Sequence, residues 1–153
     1  MATPTAGGLT VLDDDAALRI LVARALGARK HARSLRTFPL CAPLPGQARL
    51  FERCVRQAER RLVLPARITL EWRAAGRDHE HGVTQATFDA GGRMLGELVI
   101  AINADLWPEL LQETVYHELV HAHDLHDEAL RWLDPVESEV RAIRWAAAMM
   151  RSA

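Results

Sequence analysis

The chain has 153 residues, 49% hydrophobic and 25% charged, an ordinary composition for one globular domain with length enough for a real core, which excludes fibrous and low-complexity chains. Formal net charge is −1, but residues 1–75 carry 13 of the 19 basic and 6 of the 20 acidic residues, a net of +7, and residues 76–153 carry 6 and 14, a net of −8. No apolar run reaches the roughly 20 residues of a bilayer-spanning helix, and Met1–Gly8 has neither a basic n-region nor a long apolar stretch, so the expected setting is cytoplasmic, with Cys41 and Cys54 as reduced structural thiols.

Residues 1–12 read as a flexible lead. Asp13-Asp14-Asp15 places acid where a helix dipole favours it, and Leu18, Leu21, Val22, Ala25 and Leu26 follow at helical spacing up to Gly27, an expected stop. His31 lies in the basic run Arg29–Arg33 and reads as a solvated residue. Pro39, Pro43, Pro45 and Gly46 mark a loop. Gln47 to Leu62 is a second predicted helix, packed through Leu50, Phe51, Cys54, Val55, Ala58 and Leu62. Arg49, Arg53, Arg56, Arg60 and Arg61 spread round its other faces as a solvated surface. Residues 1–46 are therefore expected to form a helical, basic segment with a Pro-rich loop, and 47–153 the main domain. A nucleic acid or protein partner for basic residues 19–61 is one consequence of the charge asymmetry; basic helices simply packed beside an acidic, site-bearing half are the preferred account of it.

Ile68–Trp72 alternates with β-branched and aromatic residues and reads as a strand. Ala74–Gly82 is a polar loop whose His79 and His81 form an H-x-H pair, a spacing that can bind metal but that an isolated polar loop disfavours as a site. Gly82–Asp89 is a second strand, Ala90–Arg93 a turn and Leu95–Asn103 a third strand. Asp105 is the expected N-cap of the next helix, whose first turn suits Pro108.

That helix holds His117, Glu118 and His121 in the pattern H-E-x-x-H. At about 100° per residue, the two histidines share one face, and Leu111, Val115, Leu119 and Ala122 cluster on the opposite side. Two imidazoles so placed can bind one tetrahedral ion. Zn²⁺ there would bring the pKa of a water to about 7, and Glu118, at the edge of the face, would take that water's proton. The helix is expected to end between Asp127 and Leu133, and Asp134 with Pro135 to open a last helix as N-cap and first residue.

A catalytic zinc usually takes three protein ligands. On the last helix the predicted apolar stripe is Val136, Val140, Ile143 and Ala147. Glu139 falls on the shoulder of that stripe and is the expected third ligand. Glu137 falls beside Arg141 and Arg144 as a salt-bridged surface carboxylate and is the runner-up, with His126 and Asp124 behind it. Asp124 shares the histidine face one turn on, placed to accept the other N–H of a ligand histidine or to stand as a solvated helix-end acid. His123 and His126 lie off the metal face.

With these residues in place, the chain resembles the zincin metallopeptidases: strands, then an H-E-x-x-H helix, then a ligand-bearing helix. The local pattern is similar to the mitochondrial inner-membrane protease family that matures an ATP synthase subunit, which reads H-E-L-I-H-A-Y-D and later S-E-I/V-R-A. Here His117-Glu118-Leu119-Val120-His121-Ala122-His123-Asp124 is followed by Ser138-Glu139-Val140-Arg141-Ala142. The layout also looks like the SprT-like proteases, which act on proteins at DNA and usually take a downstream histidine as third ligand; no histidine follows His126 here. The resemblance favours Glu139 and implies an α+β, zincin-like fold: a small three- to four-stranded sheet packed on the motif helix and the C-terminal ligand helix, with N-terminal helices. It also implies a zinc metallopeptidase acting on a protein or peptide. The substrate is expected along a sheet edge at Leu95–Asn103, with Tyr116 and the loop histidines as candidates for oxyanion help. The alternatives are a metal-stabilised binding module, an SprT-like DNA-associated protease and a protease regulated by its N-terminal segment.

Overall fold

The computed structural model describes residues 14–30 and 32–152; the readings of the lead, Asp13 and His31 lie outside the described residues. Elements follow in the order α1 (Asp14–Arg29), α2 (Gln47–Ala58), β1 (Ile68–Arg73), β2 (Gly82–Phe88), β3 (Met94–Asn103), α3 (Pro108–His126) and α4 (Pro135–Ser152), a mixed α+β architecture. The three strands form one sheet in the order β1-β3-β2.

β3 runs parallel to β1, from Ile68↔Leu98 to Arg73↔Asn103, and antiparallel to β2, with Gly82↔Ile102 and Thr84↔Ile100. Its Leu98, Ile100, Ala101 and Ile102 are fully buried, as befits a strand paired on both sides. This corrects the expectation that Leu95–Asn103 offers a free edge: from Leu98 to Asn103 the strand lies between β1 and β2, and only its first residues extend beyond β1. The outer edge of β1 is partly covered by residues 39–41, where the Cys41 N–H donates to Trp72 O at 2.9 Å and the Ala74 N–H to Pro39 O at 3.0 Å. β2 forms the other edge. Its register against β3 shifts between Gln85 and Thr87, where Gly96 takes φ +65°.

α3 lies at the centre, packed on β2, β3, α2 and α4. Leu111, Val115, Leu119 and Ala122, the face opposite the histidines, are buried with Leu50, Phe51, Cys54 and Ala58 of α2. α4 packs between α3 and α1. Its buried residues are Val140, Ala142, Ala146 and Met149, whereas Val136, Ile143 and Ala147 are half-buried, so the packed face is turned toward the alanines and brings Glu139 nearer its centre. α1 is peripheral: of its described side chains only Val22 is buried, and Arg19 pairs with Glu137 and Asp15 with Arg144.

Three helix boundaries differ from expectation. α1 continues past Gly27 to Arg29, since a glycine one turn from a helix end costs only about 1 kcal/mol. α2 stops at Ala58 and tightens into turns through Arg61 and Leu62. α3 begins at Pro108 with Trp107 as N-cap, because a proline at the first position forces its predecessor into extended backbone; Asp105 Oδ2 instead accepts the Gly76 N–H at 2.7 Å. Asp134 does cap α4, its Oδ1 accepting the Val136 N–H at 2.9 Å. Among the described residues, no helix is long and apolar enough to cross a membrane, and Cys41 and Cys54 are both free thiols.

Candidate metal centre

Helical spacing on α3 brings His117 Nε2 and His121 Nε2 to 3.1 Å. α4 packs across α3 so that Glu139 reaches between them, Oε2 at 3.0 Å from His117 Nε2 and Oε1 at 3.0 Å from His121 Nε2. Among the described residues this is the one group of three that can hold a metal ion. Two imidazole nitrogens facing each other at 3.1 Å repel unless a proton or a cation lies between them. In a tetrahedral site with bonds of about 2.0–2.1 Å, ligand atoms stand about 3.3 Å apart, so the three donors fit a single small ion with shifts of a few tenths of an ångström.

The electrostatics follow from this convergence. Burial raises the Glu139 carboxyl, but hydrogen bonds and charge from His117 and His121 outweigh it and hold the group far below the usual carboxylate range. Burial lowers His121, but the Glu139 hydrogen bond and the Glu118, Glu139 and Asp124 carboxylates leave its pKa above the ordinary value.

Around the three donors, α4 makes two further contacts with α3. Ser138 Oγ lies 3.3 Å from His121 Nδ1, and Arg141 Nε donates to Asp124 Oδ2 at 2.8 Å. Asp124 is thus bonded to Arg141, and it is Ser138 that stands at the outer nitrogen of His121. Asp124 is also no solvated acid: it is 3% exposed. Glu137 is the salt-bridged carboxylate expected, but its partner is Arg19 of α1. His123 Nδ1 accepts the Val63 N–H at 3.1 Å, and neither His123 nor His126 belongs to the ligand group. Tyr116 is buried, its hydroxyl toward Cys54 and Gln112, and it does not line the cleft, which removes it as an oxyanion candidate.

The donors open into a cleft of about 470 Å³. One wall is the start of β2, His81 to Thr84, and the floor is α3 with His117, Glu118 and His121. The far side is the α3–α4 loop with Leu130 and Leu133, tied to the β2–β3 turn where the Arg131 guanidinium stacks 4.7 Å over the Phe88 ring and bonds Gly92 O. His79 and His81 also line this cleft. Their loop is fixed by buried Asn103, whose Nδ2 donates to Gly76 O at 2.7 Å and whose N–H donates to His81 O at 2.9 Å. Burial, then the nearby Arg29 charge, lower the His81 pKa against the pull of Glu113. Glu118, 5% exposed, lies where α3 meets β2, and Thr84 Oγ1 donates to its Oε2 at 2.6 Å.

Sequence reading missed Gly82, Thr84 and Ser138. Gly82 and Thr84 share a strand face by their i, i+2 spacing, which is visible in the sequence; that this face meets Glu118 depends on how the sheet packs on α3, which no local pattern encodes. Comparison with protein-family models, with curated proteins and with solved structures finds no match.

Proposed function

We propose that this protein is a zinc-dependent endopeptidase of the zincin type. The observation that carries the reading is the convergence of His117, His121 and Glu139 on one point beside the Glu118 carboxylate, in a cleft bordered by the edge strand β2. Two imidazoles and a carboxylate suit zinc, and three protein ligands leave a position open, whereas purely structural zinc sites usually close with four.

Zinc bound there supplies a Lewis acid that polarises a carbonyl and makes water acidic near neutral pH. Glu118 accepts the proton of the attacking water and delivers it to the leaving amine, the two halves of general base and general acid work. Glu139 neutralises charge between the two histidines and holds them on one target. β2 receives an extended peptide as an added strand through its outer backbone edge, which pairs with no other described strand; peptide side chains then alternate between the two faces of the sheet, and those on the α3 side meet the cleft, where Leu130 and Leu133 offer an apolar surface. His81, on the same wall, is a candidate donor to the developing oxyanion.

The test is metal analysis of purified protein with cleavage of an unfolded protein such as casein. About one zinc per chain and chelator-sensitive cleavage restored by zinc are expected. Full cleavage after complete metal removal refutes the reading.

A further inference from the structure

A glutamate has several freely rotating side-chain bonds, and one that must meet a water at a fixed point has to be held. Two residues of β2 meet Glu118. Thr84 Oγ1 lies 2.6 Å from Glu118 Oε2, the short distance of a hydroxyl donating to a carboxylate, and 3.2 Å from the Glu118 backbone oxygen, the weaker of its two acceptors and the one that remains in Glu118→Ala. At Gly82 there is no room for a side chain: a Cβ would lie 2.8 Å from Glu118 Cγ, 2.9 Å from Thr114 Cγ2 and 3.0 Å from Glu118 Oε1. Gly82 is not among the positive-φ glycines, so what it supplies is space rather than a special backbone conformation. Glu118 is 5% exposed, and its Oε1 makes no hydrogen bond among the described residues.

We infer that Gly82 and Thr84 are positioning residues for Glu118: glycine lets the side chain lie flat on β2, and the threonine hydroxyl pins Oε2 there, leaving Oε1 for the reacting water. This rests on the hydrolytic reading above. It also makes β2 both the strand that receives the peptide and the mount of the general base, which is held before any peptide arrives.

The variants are Thr84→Val, which keeps the shape and removes the donor, Thr84→Ser, which keeps the donor, and Gly82→Ala. In the zinc-loaded protein, Thr84→Val should keep its zinc and its KM within about twofold while kcat falls roughly tenfold or more, as for a displaced catalytic group. Thr84→Ser should recover most of kcat, and Gly82→Ala should lose it as Thr84→Val does. A second measurement does not need activity: thermal unfolding of the metal-free protein in a cycle with Glu118→Ala. Thr84→Val should lower the midpoint by roughly 3–10 °C alone and by little in the Glu118→Ala background. Equal shifts in the two backgrounds, or an active Thr84→Val with wild-type kcat, overturn the assignment. A wild type that holds zinc and cleaves nothing refutes the hydrolytic reading instead, and the cycle then decides the contact alone: coupling keeps it, additivity ends it.

Discussion

Replacing Glu139 by Gln removes the charge that joins the two histidines and weakens the third metal donor while preserving side-chain size. Its carboxylate faces both Nε2 atoms at 3.0 Å and its side chain is 17% exposed, so neither solvent nor a neighbour readily takes its place. Losing a partner of a ligand already costs about 10–100-fold in metal affinity, and losing the ligand itself should cost at least about 100-fold. With free zinc at about 100 times the wild-type Kd, binding stabilises the wild type by about 2.7 kcal/mol and the variant by about 0.4 kcal/mol. For a domain of this size the zinc-induced rise in unfolding midpoint should fall from about 5–11 °C to about 1–2 °C. Differential scanning fluorimetry with and without zinc reads this difference directly and subtracts any effect on the metal-free fold. Glu137→Gln is the control: its pair with Arg19 is an exposed one and lies outside the ligand group, so the zinc-induced rise should stay at the wild-type value. An unchanged rise in Glu139→Gln, or an equal loss in Glu137→Gln, would refute the ligand assignment.

The metal-free centre should respond to pH with a definite sign. Glu139 titrates below its ordinary 4.5, so its contribution is full above that pH and lost as pH falls through the depressed value, whereas His121 titrates above its ordinary 6.5, so its contribution is full below 6.5 and lost as pH rises through the raised value. The metal-free midpoint should therefore fall as pH rises beyond 6.5 more steeply in wild type than in Glu139→Gln, and zinc should reverse the trend because ligand histidines must be neutral; parallel pH curves for the two proteins would contradict this. Arg141→Met leaves the 3%-exposed Asp124 carboxylate without its hydrogen-bonding partner and should lower the midpoint by roughly 6–12 °C, from about 3 kcal/mol for a broken buried pair, with Asp124→Asn milder. Equal unfolding curves for Arg141→Met and wild type would show that the pair carries no stability.

The parts legible in the sequence are those set by periodicity along one element. The α3 spacing separates the face of His117 and His121 from that of Leu111, Val115, Leu119 and Ala122, and the structure buries the second face and brings the two histidines together. Glu139 was distinguishable from Glu137 because the two lie on different sides of α4. What escaped depends on relations between elements. The edge placement of Leu95–Asn103 was mistaken, although the unbroken apolar run Leu98–Ile102 is itself the mark of a strand buried on both faces. Asp124 shares the face of the histidines on α3, yet the residue α4 sets against it is Arg141, and only the crossing of the two helices decides that. Gly82 and Thr84 read as ordinary strand residues until β2 is packed on α3.

The central claim, that His117, His121 and Glu139 bind zinc while Glu118 moves the proton, is tested most directly by Glu118→Gln. Glutamine keeps the size of glutamate and can still accept the Thr84 hydroxyl, but it cannot take up a proton at neutral pH. Zinc content, unfolding midpoint and casein cleavage should be measured on the same preparations of wild type and variant. The account predicts wild-type zinc, a closely similar midpoint and a loss of hydrolysis of roughly 10²-fold or more. Equal, chelator-sensitive cleavage by both proteins, or loss of zinc from the variant, would contradict it.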